Sequence, residues 1–216
     1  MDKDERTEAE ALSARDLPDA LSAKAEMEAC WRAMRVGGGL PRRRDLDPCR
    51  MEGALPHAFV LERMAPGVAR LRVAGQAIAA HVGGEARGLP LTTLFAPASR
   101  PALGLWLDRC FGRPGLVELP LESQAGAFRA GVPGRLLLLP LLDAEGGVTR
   151  ALGGIFLDRP SRRARAPFDL VHDAPARWEH IRLPGAAPAL VIGGRQAPRP
   201  AGAGRPRLRL VVDNSR

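Results

Sequence analysis

Histidine and cysteine are the residue types of this chain best suited to acid–base, nucleophilic or metal chemistry, and neither occurs at a catalytic spacing. The four histidines, His57, His81, His172 and His180, form no HExxH or HxH pattern. A serine or cysteine nucleophile needs a neighbouring base and an oxyanion site, and no GxSxG motif occurs. We therefore predict no catalytic residues, no metal site and no enzyme activity. An enzyme with an unrecognised site at His57 or His81 stays open as a further hypothesis.

The cysteines indicate the compartment rather than a reaction. Cys30, Cys49 and Cys110 are odd in number and widely spaced, so they form neither a disulfide framework nor a CxxC metal clip. The N-terminal residues 1–6 are too charged for a secretory signal. No apolar run approaches the roughly 20 residues of a membrane span. We expect a reduced, cytoplasmic protein that does not enter a membrane.

Positive charge is concentrated at the C-terminal end. The 216 residues carry a net charge of +8, and residues 159–216 alone hold twelve basic and four acidic side chains. This segment is rich in Pro and Gly, so we predict a basic, partly disordered tail. Its apolar runs at 189–192 and 208–212 could each add an edge strand. A basic tail can bind phosphate backbones, so a nucleic-acid-associated regulator is the alternative function, with Arg42, Arg43 and Arg44 as a further anion-binding candidate.

A lead-in helix is predicted over residues 21–35, after a flexible N-terminus at 1–20. Its apolar positions fall at helical spacing, and the glycines at 37–39 end it. An amphipathic helix must bury its apolar stripe, either on its own domain or on a second chain. The residues that we assign to a homodimer or protein-partner contact are Leu21, Met27, Trp31 and Met34.

The residues that follow predict one α+β domain ending near residue 158. Strands are expected at 57–64 and 68–73, a short helix at 76–82, a longer one at 98–111, and strands at 116–121, 134–142 and 148–157. A further short helix is expected at about 48–55. Gly153 and Gly154 lie within a strand pattern, which indicates a bulge or a close backbone approach. This order predicts a five-stranded antiparallel sheet with its helices on one face.

Residues 31–158 resemble the PAS domains. Two strands, a helical cluster and three strands follow in the order of that family. Four sequence motifs are similar to those of a largely alphaproteobacterial, stand-alone PAS subfamily: LPRRRDLDP at 40–48, LPHAFVLE at 55–62, RLRVAG at 70–75 and GEARG at 84–88. In that subfamily a Trp precedes the first motif, as Trp31 does here.

The resemblance implies a non-catalytic sensor or regulator that acts by contact with a small ligand or a protein and signals through helix packing. PAS domains bind many ligands or none, so the cofactor is unknown. A small apolar ligand would lie between the sheet and the helices, and the same residues would otherwise fill a dry core. The predicted lining is Phe59, Leu61, Leu71, Val73, Ile78, His81, Leu94, Trp106, Leu138 and Phe156.

Overall fold

The computed structural model describes residues 20–124, 131–159 and 167–183. Three α-helices occur there: α1 (Ala20–Ala33), α2 (Gln76–Val82) and α3 (Arg100–Gly112). The strands are β1 (Ala58–Ala65), β2 (Val68–Ala74), β3 (Gly115–Ser123), β4 (Val132–Leu141), β5 (Arg150–Leu157), β6 (Phe168–Leu170) and β7 (Arg177–His180). Short 3-10 helices are Val36–Gly38, Arg43–Asp45, Pro48–Arg50, Glu52–His57, Leu91–Leu94 and Pro97–Ser99.

The strands form one antiparallel sheet in the order β2-β1-β5-β4-β3-β6, and β7 also pairs with β3. The predicted α+β fold with an antiparallel sheet is confirmed. Two strands join the five that the sequence predicts, since β6 and β7 both pair with the outer edge of β3. They come from residues that the sequence analysis assigned to the basic tail. The apolar runs at 189–192 and 208–212 lie outside the described residues.

Both faces of the sheet are buried: the helices that follow β2 lie on one face, as predicted, and α1 covers the other. The inner face packs against α2, α3 and the 3-10 helices between them. The outer face packs against α1. The reason is visible in β4, where Leu136 and Leu138 face inward while Leu137 and Leu139 face outward. An uninterrupted apolar run is typical of a strand that is buried on both sides.

The lead-in helix therefore docks on its own sheet. Met27 and Trp31 are fully buried in the outer cluster, and the Trp31 indole N–H donates to the Pro140 carbonyl oxygen at 3.0 Å. This placement corrects the assignment of Met27 and Trp31 to a contact with a second chain, because side chains buried within the domain are not available to a partner. Met34 is half-buried on the same cluster, and Leu21 is 55% exposed.

The predicted helix at 48–55 is replaced by two 3-10 helices. The Asp47 side chain accepts a hydrogen bond from the Cys49 backbone N–H at 3.1 Å, which caps the first of them. The second runs on through Pro56 to His57. A residue before proline avoids the α-helical conformation, and this segment accordingly forms short 3-10 turns. Within the described residues, no helix is long and apolar enough to cross a membrane.

Substitution of Trp31 tests the docking of α1. Replacing a buried tryptophan with alanine removes a large apolar contact and leaves a cavity, so we expect W31A to lower the free energy of unfolding by about 3–5 kcal/mol. Urea denaturation followed by circular dichroism measures this change. The control is W178A, since Trp178 is 37% exposed, and its loss should be below about 1 kcal/mol. Equal losses for the two variants would contradict the docked position of Trp31.

Candidate functional site

The inner space between the sheet and the helices is the candidate ligand region. The structure brings six of the predicted lining residues together in one buried cluster, each at most 3% exposed. They are Phe59, Leu61, Leu71, Ile78, Leu94 and Leu138. In this structure their side chains pack into the apolar core. Ligand binding among them stays a prediction.

Two predicted lining residues lie on the other face of the sheet. Val73 pairs with Val60, whereas Leu61 pairs with Leu71, so Arg72 is an extra residue in β2. This bulge shifts the alternation of β2, and Val73 shares the outer face with Val60 and is 52% exposed. Phe156 packs in the outer cluster, and its neighbour Ile155 packs in the inner one. Val73 and Phe156 are therefore removed from the predicted lining.

His81 is half-buried and acts as an aromatic packing residue. Its ring stacks on Phe168 with centroids 4.3 Å apart and planes 12° apart, and Phe95 packs on the same Phe168 ring at 5.9 Å. Burial lowers the pKa of His81, which favours the neutral imidazole at pH 7. Among the described residues, no group of three His, Cys, Asp or Glu side chains could hold a metal ion.

Phe168 is the core residue that sequence reasoning missed. It lies in β6, within a segment assigned to the tail, and is 2% exposed. Phe168 and Leu170 alternate with polar Asp169, which is the period of a half-buried strand. That alternation was the signal that could have identified β6.

Trp106 lines a cavity at the edge of this region rather than its centre. The cavity has a volume of about 130 Å³ and lies between α3, β3 and residues 170–176. Its lining is Ala102, Trp106, Leu119, Pro120, Leu170, Val171, His172, Ala174 and Ala176. The Arg109 guanidinium lies over the Trp106 ring, 4.7 Å from its centroid.

The sheet is thinnest at Gly153 and Gly154 of β5. A Cβ atom at Gly153 would lie 2.3 Å from the Phe59 ring on the inner face. A Cβ atom at Gly154 would lie 2.5 Å from the Phe156 ring and 3.1 Å from the Met27 methyl group on the outer face. The predicted close approach at this glycine pair is present. Backbone alone therefore separates an inner aromatic ring from one that touches α1.

A network of ion pairs fastens α1 to strands β3 and β7. Lys24 contacts Glu118 at 2.7 Å, and Arg177 contacts Glu118 at 2.9 Å. The Arg32 side chain donates to Glu28 at 2.9 Å and to Glu179 at 3.0 Å. The remaining contacts of the network are Arg177–Glu28 and Arg135–Glu118.

The network lowers the pKa of two of its carboxyl groups. Burial by itself raises the pKa of Glu28, but the hydrogen bonds and charges of Arg177 and Arg32 outweigh it, and the net pKa is lowered. The hydrogen bond from Arg32 lowers the pKa of Glu179. Both carboxylates are therefore held ionised at neutral pH.

The arginine loop at 42–44 uses local partners. The Arg42 side chain donates to the Ala144 carbonyl oxygen at 3.4 Å, and Arg44 lies 3.7 Å from Asp45. Arg43 donates its backbone N–H to the Leu142 carbonyl oxygen at 2.9 Å, and its side chain is exposed. Anion binding at this loop stays a prediction.

Two of the groups considered for nucleophilic or acid–base chemistry, Cys110 and His57, lie against apolar side chains. Burial raises the pKa of the Cys110 thiol to about 12, so it is not a thiolate at neutral pH. Burial lowers the pKa of His57, whose ring packs against Phe156 at 5.7 Å.

Comparison with known proteins places this geometry in a family. Residues 20–156 match the model of the PAS domain, which confirms the predicted resemblance of residues 31–158 to the PAS domains. No curated protein matches the sequence.

Three similar solved structures are light-oxygen-voltage proteins. A domain studied with a flavin analogue is 17% identical, with a TM-score of 0.38 over 51% of this chain and 82% of that chain. The light state of the blue-light photoreceptor Aureochrome1 LOV is 12% identical, with a TM-score of 0.37, and the match covers 55% of this chain and 91% of that chain. An RNA-binding light-oxygen-voltage receptor is 17% identical, with a TM-score of 0.35, and the match covers 57% of this chain and 37% of that chain.

Substitution of Gly154 tests the close packing at β5. We expect G154A to lower the free energy of unfolding by about 1–3 kcal/mol, because the new methyl group overlaps the Phe156 ring. The double variant G154A/F156L should lose less than the sum of the single losses. The control is G112A, since a Cβ atom there meets nothing within 4 Å. Additive losses in the double variant would show that Phe156 does not occupy this space.

The ionisation of Glu28 makes the stabilisation by the ion-pair network depend on pH. Its folded-state pKa lies below the ordinary value of 4.5, so the stabilisation is complete above that pH and is lost as the pH falls through the folded-state pKa. We expect E28Q to lower the free energy of unfolding by about 1 kcal/mol at pH 7, and the difference from wild type to shrink towards pH 3. Urea denaturation at a series of pH values measures it.

The matched control for that measurement is E26Q on the same helix, since Glu26 has no ion pair with the described residues. It should leave the stability unchanged at every pH. An E28Q deficit that persists undiminished at pH 3 would argue against the charge network as its cause.

Proposed function

Since the chain belongs to the PAS domain family, we propose that it is a non-catalytic sensory or regulatory module whose output is the packing of α1 on the outer face of the sheet. A small ligand or a protein contact supplies the input. The observation that carries this proposal is the glycine pair in β5, where only backbone lies between Phe59 and the ring of Phe156.

The input side of the module is the inner cluster. Phe59 is 1% exposed there and pairs with Gly153 across the β1–β5 ladder. A close-packed core transmits small displacements because its side chains have no free space to absorb them. A change in packing at Phe59 therefore acts directly on the backbone of β5.

The output side is α1. Phe156 and Met27 meet over Gly154, so a movement of β5 alters the apolar contact that holds the helix. In the two ion pairs to β7, Arg32–Glu179 and Glu28–Arg177, the arginines are 38% and 44% exposed, and exposed pairs contribute little each. The Lys24–Glu118 pair to β3 is more buried. The position of α1 therefore depends mainly on its apolar contact with the sheet, and a change in that contact can move the helix. An input changes the output only if it prefers one packing state over the other.

Hydrogen exchange of the full chain tests this coupling. We expect F59L to accelerate exchange of the α1 amides at least about 5-fold relative to the β4 amides, because the substitution loosens the packing at Gly153. The control is L103A, since Leu103 is fully buried in the same inner cluster but lies on α3. If L103A accelerates α1 to the same relative extent, the proposed route through β5 is wrong.

Native mass spectrometry of the freshly purified chain, before and after denaturation, tests the form of the input. A mass excess that is released on denaturation would support a ligand as the input and would give its chemical class. A clean apo mass would overturn a ligand that copurifies with the protein and support an input by contact.

A further inference from the structure

One wall of the cavity beside Trp106 comes from a part of the chain that the family match does not include. The match ends at residue 156, whereas one wall of the cavity is Leu170 and the following residues up to Ala176. The opposite walls are Ala102 and Trp106 of α3 and Leu119 and Pro120 of β3. The backbone hydrogen bond from Val171 N–H to the Pro120 carbonyl oxygen, at 3.0 Å, fixes the added wall to the sheet.

We propose that this cavity is a binding site for a small, neutral, single-ring aromatic molecule. The inference rests on the proposed sensory function and assigns a binding site to the ligand that supplies its input. It places the ligand at the edge of the inner cluster, to which the lining residues Leu119 and Leu170 belong, and not in the close-packed centre around Phe59 and Leu138.

The size of the cavity limits the ligand. Its volume is about 130 Å³ and it is partly open to solvent, and an enclosed protein cavity of about 150 Å³ accepts benzene. The space therefore suits one ring with about six or seven non-hydrogen atoms. It exists because three of the nine lining residues, Ala102, Ala174 and Ala176, have only a methyl side chain.

The lining selects the chemistry of the ligand. Most of it is aliphatic, and a charge taken from water into such a space without a partner is costly, so the ligand is neutral. Trp106 offers the indole ring, which favours aromatic partners in offset or edge-to-face geometry. His172 is exposed and lines the cavity, so its imidazole can bind one hydroxyl group of a ligand at the rim.

The test is a titration of the full-length chain with phenol, monitored by two-dimensional 1H–15N NMR spectra. We expect the Trp106 indole N–H and the amides of Val171 and His172 to shift with a dissociation constant in roughly the millimolar range. The Trp31 indole N–H, buried between α1 and the sheet, should not shift. Cyclohexanol has the same size and hydroxyl group without the aromatic ring, and it should bind at least about 5-fold more weakly.

Two variants occupy the cavity with a larger side chain. A102L and A176L should each weaken phenol binding at least about 10-fold, and the second is available should the first fail to fold, because Ala176 is exposed. The matched control is A80L, on the exposed surface of α2, which should bind phenol as wild type does.

Phenol binding that survives in both A102L and A176L would overturn the site, as would the absence of shifts at Trp106 and Val171. Equal affinity for cyclohexanol would overturn the aromatic preference. These outcomes are distinct from a failure of the proposed function, because the effect of F59L on α1 exchange is measured without any ligand.

Discussion

Two aromatic rings lie on opposite faces of strand β5, Phe59 over Gly153 and Phe156 over Gly154. Neither ring would fit if the strand carried side chains at these two positions. The neighbouring strand β4 has leucines on both faces, so the middle of the sheet must be covered on both sides to keep apolar surface from water. The helices α2 and α3 cover one side and α1 covers the other. The position of α1 is thus a consequence of how the centre of the sheet is built.

Charge and apolar contact have different roles in holding α1. The fully buried Met27 and Trp31 supply most of the stabilisation, at roughly 25 cal/mol for each Å² of apolar area removed from water. The ion pairs of Lys24, Glu28 and Arg32 connect the helix to two strands and favour one placement of it along the sheet. Because Arg177 and Glu179 belong to β7, the outer face of the domain depends on residues beyond the 20–156 match.

The residues after 156 complete both cores. On the inner side, β6 places Phe168 between His81 and Phe95. On the outer side, Ile181 follows β7 into the cluster that contains Trp31. Both strands pair with β3, which would otherwise be an open edge of the sheet. The cavity beside Trp106 lies where this added segment meets α3, so the segment that closes the sheet also forms one wall of the cavity.

The sequence by itself determined the order of α1, α2, α3 and the five strands β1 to β5, the family and six buried residues of the inner cluster, because apolar periodicity and glycine or proline breaks are local signals. It did not determine the face on which each residue lies. Val73 was assigned inward because strict alternation allows no bulge, yet the extra residue Arg72 turns it outward. Met27, Phe156 and Phe168 depend on contacts between residues far apart in sequence, and only the tertiary structure decides which surfaces meet. The uninterrupted leucines of β4 are typical of burial on two faces, but they do not show that α1 covers the second.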